Sequence, residues 1–261
     1  MSLPIQPADV LEILDEASEA ILEIYRRENH GVEYKSDASP LTEADRRANE
    51  IIVRGLKARY PDIPILSEES KEIPFSERSS WQRFWLVDPV DGTKEFIKRN
   101  GEFTVNIALV EDGVPVFGGV ARPTEGVVFF GGRECGAYLR ERDGKVVTLD
   151  QSDRPHFRDM KKVKVVASRS HLTQEVTDFV EELKQSGKDV EFLSAGSSLK
   201  LCLVAEGKAE VYPRFGPTME WDTAAAHAVV LGAGRKVTVA ATGEPLVYNK
   251  ENLLNPWFIV E

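Results

Sequence analysis

The segment Asp88-Pro89-Val90-Asp91-Gly92-Thr93 concentrates the chemistry of this chain. Asp88 follows the apolar run from Phe84 to Val87 directly. Pro89 stiffens the backbone and Gly92 permits a tight turn. Such a turn can point Asp88, Asp91 and the Val90 carbonyl into one space, giving three oxygen ligands for a hard cation. Thr93 can then cap a helix beginning at Lys94, whose free N–H groups are a natural phosphate seat. Glu68-Glu69 close a second apolar run, Ile63 to Leu66, so these acids too fall at a strand end. Asp222, before the apolar stretch Thr223 to Leu231, is the candidate third source. Each has a plainer alternative: turn formers at Asp88 and Asp91, a solvated pair at Glu68-Glu69, a helix cap at Asp222. Gathered together, the acids would repel one another without cations. An all-oxygen set favours Mg²⁺ over Zn²⁺.

Asp45 stands in Thr42-Glu43-Ala44-Asp45, close to a capping box. Gly196-Ser197-Ser198 precedes a helical stretch, with Lys200 one turn in, and could hold an anion or merely cap the helix. Arg214 is either a site cation or an exposed loop charge, and Trp221 reads as packing. His30, His156, His171 and His227 are scattered and lack zinc spacing. Neither Cys135 nor Cys202 has a histidine near it in sequence, which argues against a cysteine nucleophile.

The elements that must position these residues follow from periodicity. Helical spacing runs from Ala8 to Arg27 and from Thr42 to Tyr60. Strands are expected at Ile63–Leu66 and Phe84–Val87, and a hairpin at Phe103–Glu111 and Val114–Arg122 around Asp112-Gly113. Gly126–Gly131 and Ala137–Arg140 continue the strand pattern, and Gln151–Lys162 reads as a connection. Strand and helix then alternate: Val163–Ala167, Leu172–Gln185, Val190–Leu193, Leu199–Glu206, Ala209–Tyr212, Thr223–Leu231 and Lys236–Ala240. The expected organisation is an α+β half, residues 1–155, carrying the metal-binding turn. An α/β half, residues 156–261, completes the metal site and binds the substrate.

Composition narrows the function classes. The chain has 261 residues, 33 Lys and Arg against 43 Asp and Glu, and a net charge of −10. Hydrophobic residues make up 42% and charged residues 29%, an ordinary globular balance. The acidic excess argues against a nucleic-acid binder. No run approaches the ~20 apolar residues that cross a bilayer. The first twenty residues carry acids rather than a basic region followed by an apolar one, against a secretory signal. Two cysteines suit a reducing compartment. The expected location is the cytoplasm, with peripheral association at the inner membrane left open, as is the choice between monomer and homodimer.

Leu66-Ser67-Glu68-Glu69, Asp88 to Thr93, and Trp221-Asp222-Thr223-Ala224-Ala225 resemble, in order and separation, the three signatures of the inositol monophosphatase superfamily of lithium-sensitive, magnesium-dependent phosphatases. Leu86 to Val110 and Gly196 to Thr218 are most similar to its bisphosphate-nucleotidase branch. The resemblance implies a mixed α/β, layered αβαβα sandwich of the inositol monophosphatase and fructose-1,6-bisphosphatase type. It implies two or three Mg²⁺ ions on Glu68, Asp88, the Val90 carbonyl, Asp91 and Asp222, with Asp88 bridging two of them. Asp45 and Thr93 would orient the attacking water, with Glu68 also catalytic. Glu68, Val90, Asp91, Gly92 and Thr93 would surround the scissile phosphate. Gly196, Ser197, Ser198, Lys200, Arg214 and Asp222 would contact the rest of the substrate. Aligned on Gly216, the inositol-specific branch usually has an acid where this chain has Arg214, and a cation there favours a substrate with a second phosphate. The implied activity is hydrolysis of 3′-phosphoadenosine 5′-phosphate to AMP and phosphate, in sulfur assimilation. The rivals are an inositol or sugar phosphatase and a non-catalytic sensor of metal and nucleotide.

Overall fold

The computed structural model describes residues 4–27, 31–34, 40–167 and 173–261. The expected helix start at Leu172 lies outside the described residues, as do His30 and His171. In chain order the first elements are α1 (Pro7–Tyr25), β1 (Glu33–Tyr34), β2 (Pro40–Leu41), α2 (Glu43–Arg59), β3 (Ile65–Ser67), α3 (Phe75–Arg78), β4 (Arg83–Asp91) and α4 (Thr93–Ile97). The strands β5 (Thr104–Glu111), β6 (Val114–Arg122), β7 (Val127–Gly132), β8 (Gly136–Arg140) and β9 (Val146–Leu149) follow. The remainder comprises β10 (Lys162–Ala167), α5 (Gln174–Gln185), β11 (Asp189–Ser194), α6 (Leu199–Ala205), β12 (Tyr212–Arg214), α7 (Ala224–Gly232), β13 (Val237–Val239) and β14 (Phe258–Val260).

Strands β3 to β9 form one sheet in sequence order, with β3 parallel to β4 and every later pair antiparallel. Helices α1 and α2 cover one face through Val10, Ile13, Leu14, Ala17, Ile51 and Ile52. Helices α6 and α7 cover the other, and their far side meets β10 and β12 to β14. There β10 and β11 pair in parallel, β14 lies between β12 and β13, and α5 packs outside on Phe157, Val163 and Val165. The layers are therefore helix, sheet, helix, sheet, helix, the expected αβαβα sandwich. The apolar core beneath α6 and α7 draws side chains from both sides of residue 155.

Two adjacent glycines set how closely the layers approach. A Cβ on Gly118 would lie 2.0 Å from the Ala225 carbonyl oxygen, and one on Gly119 would lie 2.6 Å from Leu14 Cδ1. Side chains alternate across a strand, so bare backbone lets α7 settle on one face of β6 and α1 on the other. Because α7 opens just after Asp222, this close contact fixes the depth at which that carboxylate arrives.

Three local expectations are corrected. The run from Asp88 to Asp91 is the end of β4 rather than a turn. The expected strand at Ala209–Tyr212 sits at Tyr212–Arg214. Glu210 is buried, ion-paired with Arg154 and accepting the Lys164 N–H, while its own N–H donates to the Lys164 carbonyl at 2.9 Å, so its segment meets β10 through one bridge, Val211 to Val165, and not as a strand. Strands β9 and β14 were not anticipated. They are four and three residues long, too short for alternation to stand out.

Candidate active site

In a regular strand Asp88 and Asp91, three residues apart, would face opposite sides of the sheet. Register decides otherwise. Asp88 pairs with Asn106 and Asp91 with Thr104, so β4 holds one extra residue between them. This bulge resets the alternation and brings both carboxylates to one side. Pro89 falls within it, where a missing N–H costs no ladder bond. Asp88 Oδ1 accepts the Val90 N–H at 3.0 Å. The Glu68 N–H donates to the Val87 carbonyl at 3.1 Å, which places Glu68 beside the end of β4. Asp222 ends a single 3₁₀ turn, Glu220–Asp222, and its Oδ2 accepts the Met219 N–H at 2.8 Å. It therefore holds that turn, and Thr223 is the residue that precedes α7.

Asp88, Asp91 and Asp222 each offer an oxygen within 4.8 Å of the others. Glu68 adds its charge to all three. Burial, then Glu68, Asp91 and Asp222, push the Asp88 carboxyl well above the usual carboxylate range. Burial and Asp91 do the same to Asp222. Asp91 is pushed up to about 6 by burial, against the opposing pull of Lys200 and the Ser198 N–H. Carboxylates drawn from separate segments, each making ionisation harder for the next, fit a divalent cation, which removes that repulsion and prefers oxygen donors.

This predicts a pH signature for the metal-free protein. Acids whose folded pKa lies above the unfolded value take up protons on folding, so their contribution to stability is lost as pH rises. Lys200, which burial pulls down to about 8, opposes this near that pH because the unfolded chain binds the extra proton, so the melting temperature in chelator is expected to climb as pH falls from about 7.5 to about 6.5. Below that, His227 opposes the trend, because burial lowers it to about 3 and the unfolded chain then binds the extra proton. A divalent cation should flatten the climb by raising the melting temperature most at the alkaline end. A metal-free melting temperature that falls between about pH 7.5 and 6.5 would contradict this account of the acids.

Asp45 is buried in the first turn of α2 and serves two partners. Its Oδ2 accepts the Thr42 N–H at 2.8 Å and the Thr42 hydroxyl, closing the anticipated capping box. Its Oδ1 accepts the Thr93 hydroxyl at 3.1 Å. Burial raises the Asp45 carboxyl, only partly offset by the Thr42 and Thr93 bonds. Thr93 does not cap α4. Gly92 takes that position with φ 93°, and Thr93, the first helical residue, turns its hydroxyl toward Asp45 and the Val90 carbonyl, the latter at 3.3 Å.

Gly196-Ser197-Ser198 serves a different end from the one expected. The Ser197 hydroxyl donates toward the carbonyls of Asp91 and Glu102, at 2.8 and 2.7 Å. The Ser198 N–H donates to Asp91 Oδ2 at 2.6 Å. The Ser198 hydroxyl lies 2.8 Å from Asn106 Oδ1 and 2.9 Å from the Thr104 hydroxyl. These donors hold Asp91 in place. Lys200 is buried and donates to the carbonyls of Ser197, at 2.6 Å, and Ala195, at 3.3 Å. Burial, with Arg214 nearby, pulls it down to about 8. Arg214 donates from Nη2 to the Pro217 carbonyl at 2.7 Å, while its buried Nε has no hydrogen-bond partner among the described residues.

Asp91, Gly92, Gly196, Ser197, Ser198, Lys200, Arg214 and Asp222 nevertheless line one cleft of about 370 Å³. Sequence reasoning missed Lys94, Glu95, Lys98, Tyr212 and Phe258, which line it too. It also missed Thr104 and Asn106, although two polar residues alternating in the otherwise apolar run Phe103 to Val110 were a readable signal.

A carboxylate cluster on a bulged strand end, closed by a 3₁₀ turn ahead of α7 within an αβαβα sandwich, defines a metal-dependent phosphatase class. The chain belongs to the inositol monophosphatase family, whose model matches residues 5–257. It is 45% identical over 254 residues to the 3′(2′),5′-bisphosphate nucleotidase CysQ of Salmonella typhimurium, covering 96% of this chain and 97% of that one. CysQ of Bacteroides thetaiotaomicron superposes with a TM-score of 0.86 at 46% identity, covering 100% of this chain and 98% of that one. The Thermotoga maritima inositol monophosphatase shares the fold at 22% identity and a TM-score of 0.74, covering 97% and 90%.

Proposed function

We infer that this chain is a 3′(2′),5′-bisphosphate nucleotidase that hydrolyses 3′-phosphoadenosine 5′-phosphate to AMP and phosphate with Mg²⁺. The observation that carries the reading is the shared cleft, in which the acids Asp91 and Asp222 stand beside Lys94, Lys98, Lys200 and Arg214. Similarity along nearly the full length of the CysQ nucleotidases supports it. Glu68, Asp88, the Val90 carbonyl, Asp91 and Asp222 are the proposed ligands of two or three Mg²⁺ ions. Bound there, Mg²⁺ would polarise the phosphate and lower the pKa of a coordinated water.

The protein's own groups complete the chemistry. The Thr93 proton is committed to Asp45 and Val90, so the hydroxyl lone pairs are left to accept an O–H from water. Asp45, its carboxyl raised by burial, is the eventual proton acceptor. Helix α4 leaves its first N–H groups without intrahelical partners, and with Gly92 they are the proposed cradle for the scissile phosphate. The first half, residues 1–155, supplies this machinery. The second, residues 156–261, adds Asp222 and grips the nucleoside from the side of Gly196, Ser197, Ser198, Lys200 and Arg214. Among the described residues no helix is long and apolar enough to cross a membrane. With both cysteines free thiols, the proposed setting is the cytoplasm.

Phosphate release from a panel of 3′-phosphonucleotides and inositol phosphates tests the reading. A charge-assisted contact to the second phosphate is worth about 10- to 100-fold, so 3′-phosphoadenosine 5′-phosphate is expected to exceed 3′-AMP by that factor. Mg²⁺ should be required and Ca²⁺ should block. Arg214→Ala should narrow the gap by weakening the bisphosphate. Preference for myo-inositol 1-phosphate would overturn the nucleotidase reading, and bisphosphate binding without phosphate release would favour a sensor.

A further inference from the structure

We propose that Lys94 in α4 and Lys98, the residue that closes α4, anchor the phosphate remote from the metal ligands and so contribute, beside Arg214, to the preference for a bisphosphate. The proposal rests on the nucleotidase reading above. Among the described residues four cations line the cleft, and two of them are already engaged. Lys200 is buried against the Ser197 and Ala195 carbonyls, and Arg214 is tied to the Pro217 carbonyl. The serine donors are committed to Asp91 and its neighbours. Lys94 and Lys98, by contrast, are exposed and make no side-chain hydrogen bond or ion pair among the described residues. The Lys98 N–H donates to the Lys94 carbonyl at 3.0 Å, so the two, four residues apart in one helical turn, share a face.

Charge favours an anion there once the acids are neutralised by cations. Of the described residues lining the cleft, Glu95 is then the one carboxylate left against Lys94, Lys98, Lys200 and Arg214. Lysine is a mobile point charge well suited to a phosphate whose position varies. The placement also ties the two ends of the substrate together. Thr93, which faces Asp45, is the first residue of the five-residue helix that Lys98 closes, so a phosphate held by Lys98 braces the element that carries the reacting end.

The test is steady-state kinetics of Lys94→Ala, Lys98→Ala and the double variant on 3′-phosphoadenosine 5′-phosphate and on 3′-AMP, with Lys57→Ala as an exposed control elsewhere. The double variant should raise KM for the bisphosphate about 10- to 100-fold and leave kcat/KM for 3′-AMP within about twofold. Its KM for the bisphosphate should also respond less steeply to added salt, because fewer charges are screened. An unchanged bisphosphate KM, or an equal loss on both substrates with a normal melting temperature, overturns the proposal. A wild type that does not prefer the bisphosphate overturns the nucleotidase reading itself, and is seen before any variant is compared.

Discussion

Asp88→Asn is expected to abolish turnover, by at least about 10³-fold, or about 4 kcal/mol of transition-state stabilisation, while the fold is retained. Asp88 is 1% exposed and stands where the charges of Glu68, Asp91, Asp222 and Asp45 all reach it. An amide of the same shape fills the same space, but it is neutral and presents N–H donors where one of the oxygens stood. Cation affinity should fall accordingly, and the metal-free protein should gain. Removing one buried carboxylate relieves Asp91 and Asp222 of a like charge, so the variant should melt above wild type in chelator. It should also lose most of the rise that Mg²⁺ gives wild type. Wild-type turnover, or an undiminished Mg²⁺-dependent rise in melting temperature, would remove Asp88 from the metal site.

The acids of this site were legible because they sit at the edges of apolar runs, Glu68, Asp88 and Asp91 after one and Asp222 before one, and such an edge is a local signal. What brings them together is not local. The bulge between Asp88 and Asp91 exists only as a register against Asn106 and Thr104 on β5, and nothing within Asp88 to Thr93 distinguishes it from a turn. Gly118 and Gly119 read as one more pair of glycines until α7 and α1 are seen to approach them from opposite faces. The serine loop shows the opposite failure. Its composition suits an anion cradle, but three carbonyl and carboxylate oxygens from Asp91 and Glu102 reach it first and turn it into a brace for Asp91. Lys94 and Lys98 were passed over because exposed lysines are ordinary on any helix. Only the position of α4 at the cleft gives them a direction to act in. The long helices and the hairpin, whose periodicity extends over several turns or pleats, fell within a few residues of expectation.

Thr93→Ala and Asp45→Asn are expected to lower kcat about 10²-fold or more while cation binding persists. The structure makes Asp45 both a cap and a partner of Thr93, with one oxygen for each task, so stability and rate must be read on the same samples. Asparagine can still accept the Thr42 N–H, so the cap should survive in large part, and a full loss of capping would cost only about 1 kcal/mol. Its other terminus is an NH₂ group, which donates to Thr93 where the carboxylate accepted. The threonine proton is then released toward the water, and a hydroxyl that took an O–H now offers one. Thr93→Ala removes the same contact from the other side, at little cost to α4, since Gly92 and not Thr93 holds the capping position. Thr93→Ser, which restores a hydroxyl, should recover most of the rate. Because the two residues act as one unit, the double variant should be no slower than the worse single variant. Losses that multiply in the double variant would mean that the residues act independently. A lowered melting temperature with normal turnover would leave Asp45 as a cap and nothing more.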